Sequence, residues 1–176
     1  SHGNDLWSFD KVLPYFVKSE SDLGFDEEYH GKHGPMPVRH ADSSLWNPIQ
    51  HGFYNACLRS GYQDCPDHNY PYAEGVGPPT FNRVNGIRYS TALTYIEPAR
   101  NRENLTIWTN CLVHRVIFSG ARAVGISVES DGDISYQYAS EIILSAGVIG
   151  SPHILMLSGI GSVNNLEPLG IRVVSD

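Results

Sequence analysis

The stretch Glu141-Ile142-Ile143-Leu144-Ser145-Ala146-Gly147 limits the folds open to this chain more than any other. Three apolar residues stand side by side, without the alternation of a half-solvated strand, and the run then collapses into three small residues. Continuous apolar character marks a strand covered on both faces, which belongs in the sheet of an α/β protein. A helix is expected soon after. Ser151 and Pro152 stand as its cap and first residue, Ile154, Leu155, Met156 and Leu157 fill it, and Gly159 stops it. A last short helix is expected from Ser162 to Gly170. Strand, side-chain-poor corner and helix, in that order, is where open α/β sheets bind ligands, at the carboxyl ends of their strands. Small residues there allow close approach to the main chain. They also end strands simply because the next turn demands them, so pattern alone leaves the corner undecided.

Upstream the apolar period is that of strands. Residues 105–109 and 112–118 are two candidates; Ser119-Gly120 then turns the chain into 122–129, and Asp131-Gly132 turns it into 134–138. Together these are expected to make a small antiparallel meander. Before Asn104 the character changes to Pro, Gly, His and Tyr, with two helical segments set in loops. The first starts at Ser8, with Trp7 as a staple and Phe9, Val12, Leu13, Phe16 and Val17 on one face, and Pro14 predicts a kink or a 3₁₀ turn. The second is capped by Asn47, has Pro48 at its first position, buries Ile49, Phe53, Ala56 and Cys57, and ends at Gly61.

Between the two helices His30, His33 and His40 punctuate a Gly- and Pro-rich stretch. No acidic or Cys partner stands at ligand spacing, so these are expected to be solvent-facing loop histidines and no metal site is assigned. Residues 61–80 are turn-rich and read as a long structured loop of the kind that borders a binding site. Cys57, Cys65 and Cys111 lack CxxC spacing and are read as reduced, inert thiols. Asn104-Leu105-Thr106 fits a glycosylation acceptor, a pattern common by chance.

A formal net charge of −7 argues against nucleic acid or an anionic membrane as a partner. No apolar run reaches the length of a membrane span, and no basic-plus-apolar leader opens the chain. The compartment stays unassigned, with the cytoplasm favoured. Neither GxGxxG nor GxxxxGK[ST] occurs, so the usual phosphate-cradling loops are missing, and GxSxG, HExxH and EF-hand patterns are missing too.

The wording of the chain goes further than its periodicity. Ser145-Ala146-Gly147, Ser151-Pro152, an apolar helix and Ser158-Gly159-Ile160-Gly161 together resemble the second signature of the glucose–methanol–choline oxidoreductases. Leu166-Glu167-Pro168-Leu169-Gly170-Ile171 is similar to that family's following segment. The resemblance extends upstream through Trp7-Ser8-Phe9-Asp10-Lys11-Val12-Leu13-Pro14-Tyr15-Phe16, through Gly86-Ile87-Arg88-Tyr89-Ser90-Thr91-Ala92, and from Pro98-Ala99-Arg100 to Asn104-Leu105-Thr106. Val113-His114-Arg115-Val116 and Arg122-Ala123-Val124-Gly125 match the strand pair after that. Single motifs are modest; the ordered set is specific. Val148 departs from the small residue usual in the family and is expected to shift local packing.

The resemblance implies an α/β architecture in two parts: residues 1–103 as FAD lid and substrate-facing region, and 104–176 as part of a Rossmann-type FAD-binding domain. It implies FAD as cofactor and oxidation of a small-molecule alcohol by hydride transfer to the flavin. The backbone of Val113 would pair with the adenine, while Ser145, Ala146 and Gly147 would border the adenosine and pyrophosphate. The family's amino-terminal GxGxxG unit and its carboxyl-terminal catalytic pair, a His with a second His or Asn, match nothing in the 176 residues. No catalytic residue is therefore assigned, the isolated chain is expected to be inactive, and companion segments of a longer parent are its expected partners. Two other readings stand beside this one: a hydroxynitrile lyase of the same fold, and a binding module without chemistry.

Overall fold

A computed structural model of the chain describes residues 3–25 and 28–176. The architecture is mixed α/β with three small sheets, and the chain divides into two compact units, Ser1–Leu105 and Thr106–Asp176.

In the second unit, β1 (Leu112–Ser119), β2 (Arg122–Ser130) and β3 (Asp133–Tyr138) pair antiparallel in chain order, which is the expected meander. Its turns are built from local chemistry. Asp131 and Gly132 take φ of 54° and 87°, both in the left-handed region that a two-residue turn between twisted strands requires. Val116 and Val128 are buried, at 4 % and 3 % exposure. The β1–β2 register slips twice: His114 is the extra residue on β1 between Val113 and Arg115, and Val124 is the extra residue on β2 opposite Ile117 and Phe118, so each strand carries one bulge.

Helix α1 (Gly147–Leu157) follows, capped at its end by Ser158, with a shorter helix α2 (Val163–Leu166) beyond it. Leu166 is fully buried. Gly159 takes φ of 88° and accepts the Val174 amide at 2.7 Å; a Cβ there would stand 2.3 Å from the Arg172 carbonyl. Glycine is therefore demanded twice over at the end of α1.

Three expectations for this unit are corrected. Residues 105–109 and 141–144 form no ladder with any described strand, and Ile143 is 79 % exposed. The apolar run meets the hydrophobic condition for a two-sided strand, but pairing needs a neighbour, and none among the described residues lies beside it. Helix α1 also begins five residues early, with Ala146 rather than Ser151 in the cap position and Gly147, whose φ of 86° swings the chain into the helix, as first residue. Pro152 therefore lies inside the helix, where it removes one amide bond.

In the first unit, helix α3 (Phe9–Ser19) runs through Pro14 without interruption, after a 3₁₀ turn at Asp5–Trp7; Ser8 holds the cap position but makes no side-chain cap bond. Strand β4 (Glu20–Asp22) pairs parallel with β5 (Met36–His40), which pairs antiparallel with β6 (Thr80–Phe81). Helix α4 (Pro48–Arg59) carries a full capping box: Asn47 Oδ1 accepts the amides of Ile49 and Gln50, and Gln50 Oε1 accepts that of Asn47. Its expected buried stripe is wrong. Ile49 and Phe53 are 82 % and 67 % exposed, and the half-buried face is Tyr54, Cys57 and Leu58. A hairpin of β7 (Arg83–Val84) and β8 (Ile87–Arg88) turns on Asn85 and Gly86, and a π-helical turn at Ala92–Ile96 leads into α5 (Glu97–Ala99). Neither hairpin nor helix is among the expected elements. No helix among the described residues is long and apolar enough to cross a membrane.

Candidate functional site

The corner opening α1 is built on bare main chain. Ser145, Ala146 and Gly147 are all exposed. A Cβ at Gly147 would meet no other atom within 4 Å, so no neighbouring bulk fills the corner. Ala146 supplies the cap position without a side-chain cap bond, which leaves first-turn amides of α1 without an internal acceptor. Such amides, at the positive end of the helix dipole, form a place for an anionic group. Ser151, expected to cap the helix, instead accepts the Ala146 amide at 2.9 Å and holds the corner from behind. Val148 is 91 % exposed, so its wider side chain packs against nothing here, contrary to the expected shift in packing.

Val113 lies half-buried on β1, opposite Val128 and beside the first register slip. Among the described residues, strand β1 has a sheet partner along one edge only. Along the other, the Val116 amide donates to Ser158 Oγ at 2.8 Å, tying strand to helix. The four residues expected to meet a nucleotide therefore sit in one unit, on two elements that pack together. A groove of about 780 Å³ lined by Arg115 to Phe118, Leu157 and Gly170 to Val174 includes none of them.

The histidines of the first unit give the largest departure from sequence reasoning. His30 is 2 % exposed, not solvent-facing. Its Nδ1 lies 3.1 Å from Glu20 Oε1 and 3.7 Å from Asp22 Oδ2, and its Nε2 lies 2.9 Å from Asp67 Oδ2. Both ring nitrogens of His30 are thus within hydrogen-bond distance of a carboxylate oxygen. His40 Nε2 meets Asp22 Oδ2 at 2.7 Å, and the Gly24 amide donates to Asp22 Oδ1 at 2.8 Å. Burial alone would raise the Asp22 carboxyl; the Gly24 amide and the imidazoles of His40 and His30 outweigh it and hold the group below its ordinary value. Only His33 of the three is exposed. Among the described residues no cluster of His, Cys, Asp and Glu has the geometry to hold a metal. The network joins chain segments far apart in sequence, so it carries no local signal beyond the acidic residues at 20, 22 and 67. Ser158, also unforeseen as a contact residue, was legible only as the end of a helix.

Known proteins agree with the motif order. The chain is 40 % identical over 170 residues to an uncharacterised GMC-type oxidoreductase of Rhodococcus erythropolis, covering 97 % of this chain and 34 % of that protein. It is 36 % identical over 175 residues to an oxygen-dependent choline dehydrogenase of Photobacterium profundum, covering 99 % and 31 %. Among solved structures, pyridoxine 4-oxidase from Mesorbium loti superposes with a TM-score of 0.86 at 30 % identity, covering 97 % of this chain and 34 % of that one. The chain thus spans about a third of the length of each. The family model described as GMC oxidoreductase matches residues 1–174, and with the corner, the meander and the ordered motifs in place, the chain belongs to the GMC oxidoreductase family.

Proposed function

We propose that this chain is part of an FAD-dependent oxidoreductase that oxidises the CH–OH group of a small-molecule alcohol. Residues 104–176 belong to its FAD-binding domain, and 1–103 to the lid and substrate-facing region. Bound there, FAD supplies the acceptor for a hydride from the alcohol carbon. The roles of the chain's own residues follow from their places. Val113 offers main-chain donor and acceptor groups to the adenine, which a strand can do whatever its side chain. Ser145, Ala146 and Gly147 let the adenosine and pyrophosphate lie against backbone, and the first-turn amides of α1 receive the pyrophosphate's charge. The proton transfers at the alcohol fall to groups in companion segments of the parent protein.

The observation that carries this reading is the corner at Gly147: left-handed, exposed and clear of any atom within 4 Å of the Cβ direction. Support comes from the family match and from the solved relative described as an FAD-dependent oxidoreductase from Chaetomium thermophilum, at 30 % identity and TM-score 0.84. The test is Gly147→Val in the full-length protein. A branched side chain strains the positive φ and occupies the nucleotide's place. Bound flavin, read from its visible absorbance, is expected to fall more than tenfold while far-ultraviolet circular dichroism stays unchanged. Undiminished flavin in the variant would refute the site. Anaerobic addition of alcohols to the wild-type protein should bleach the flavin; a flavin that no alcohol bleaches would refute the redox assignment and leave the lyase.

A further inference from the structure

We infer that Ser158 is a positioning residue for the nucleotide site, fixing the helix that opens at Gly147 against the strand that carries Val113. The inference rests on the FAD site proposed above and names a residue outside it. Ser158 is 8 % exposed and its hydroxyl is used in both senses: Oγ accepts the Val116 amide at 2.8 Å and donates to the Ile154 carbonyl at 2.5 Å. The first bond reaches across to β1; the second locks the hydroxyl onto the last turn of α1. Among the described residues no other hydrogen bond joins α1 to the meander. The remaining bonds at this end run elsewhere, from the Val174 and Ser175 amides to the Gly159 carbonyl and from the Gly161 amide to that of Ser175.

The two groups that would grip the nucleotide are thus carried by separate elements whose mutual placement is set at one buried joint. Helix α1 has 11 residues, so its Gly147 end stands about 16 Å from the joint. A tilt of about 10° there would swing the corner by roughly 3 Å on that ~16 Å lever, more than hydrogen bonds to the nucleotide tolerate. Val113 lies on the other side of the joint, three residues before the bonded Val116. The hydrophobic driving force between the two elements is itself non-directional, whereas a hydrogen bond is not. The hydroxyl supplies direction.

The experiment is Ser158→Ala in the full-length flavoprotein, with Ser158→Thr as the variant that keeps the hydroxyl and Ser158→Cys as one that keeps the volume with a weaker hydrogen-bonding atom. Flavin release on dilution is followed by fluorescence, and the bound flavin's visible spectrum and the melting temperature are recorded alongside. FAD affinity is expected to fall about tenfold in the Ala variant and by a smaller factor in the Cys variant, with an altered visible band, and to return to within about threefold of wild type in the Thr variant. Should Ser158→Ala fail to fold, the Cys and Thr pair decides by the same criterion. A lower melting temperature with unchanged FAD release and spectrum in every folded variant would overturn the positioning role. If wild type itself takes up no FAD, the proposed function fails; if wild type binds and the variants bind equally, only the inference about Ser158 fails.

Discussion

Asp22→Asn tests whether the buried network of the first unit is held by charge. Asp22 is fully buried and spans two partners: Oδ2 accepts from His40 at 2.7 Å and Oδ1 from the Gly24 amide at 2.8 Å. Asparagine keeps one acceptor for Gly24 but turns an amide donor towards the imidazole. The variant loses one charge-assisted hydrogen bond, worth about 1.5–3 kcal/mol, and leaves a buried donor facing a donor, which costs a further ~1–3 kcal/mol. A local loss of about 3 kcal/mol corresponds to an opening equilibrium raised roughly a hundredfold. Hydrogen exchange in peptides covering residues 18–40 of the full-length protein reads this directly. The sign with pH follows from the depressed carboxyl: its contribution is fully present above the unfolded value of 3.8 and disappears as pH falls through the lower folded value. The difference between wild type and variant should therefore be complete near neutrality and shrink only below that value. Exchange within threefold of wild type at neutral pH would show that the network is packing rather than electrostatics.

Two further substitutions test the two units separately. Asn47→Ala removes the acceptor of two helix amides and should destabilise α4 by about 1 kcal/mol, seen as faster exchange confined to residues 49–51. Leu166→Ala empties a fully buried position and should cost about 2–5 kcal/mol, read as a lower denaturant midpoint with unchanged slope.

What the sequence discloses here divides along the range of the interactions. The meander is legible because Ser119-Gly120 and Asp131-Gly132 dictate their turns locally, and the strands need only those turns to find each other. The Asn47 cap of α4 is legible for the same reason, although the return bond from Gln50 that completes the box is not among the expected features. Residues 141–144 carry the right composition for a strand, but a ladder is a relation to another segment. The start of α1 is misread because Ser151-Pro152 has the composition of a helix start, while the conformation of Gly147 sets the actual one. The His30 network is not legible because the carboxylate at its Nε2 is 37 residues away and, of its three carboxylate partners, only Glu20 and Asp22 share a strand face. At the candidate site, motif order identifies the corner and Val113, but the joint at Ser158 emerges only once strand and helix are seen in contact.

The hairpin connections of the meander also bear on the order in which the chain acquires shape. Its contacts run almost entirely between neighbours in sequence, so little loop entropy opposes its closure and it can form as soon as residues 112–138 leave the ribosome. Residues 141–144 form no ladder with any described strand and take no part in that early closure. The corner at Gly147 then takes shape beside a sheet already in place, so synthesis builds the meander first and the proposed cofactor contact after it.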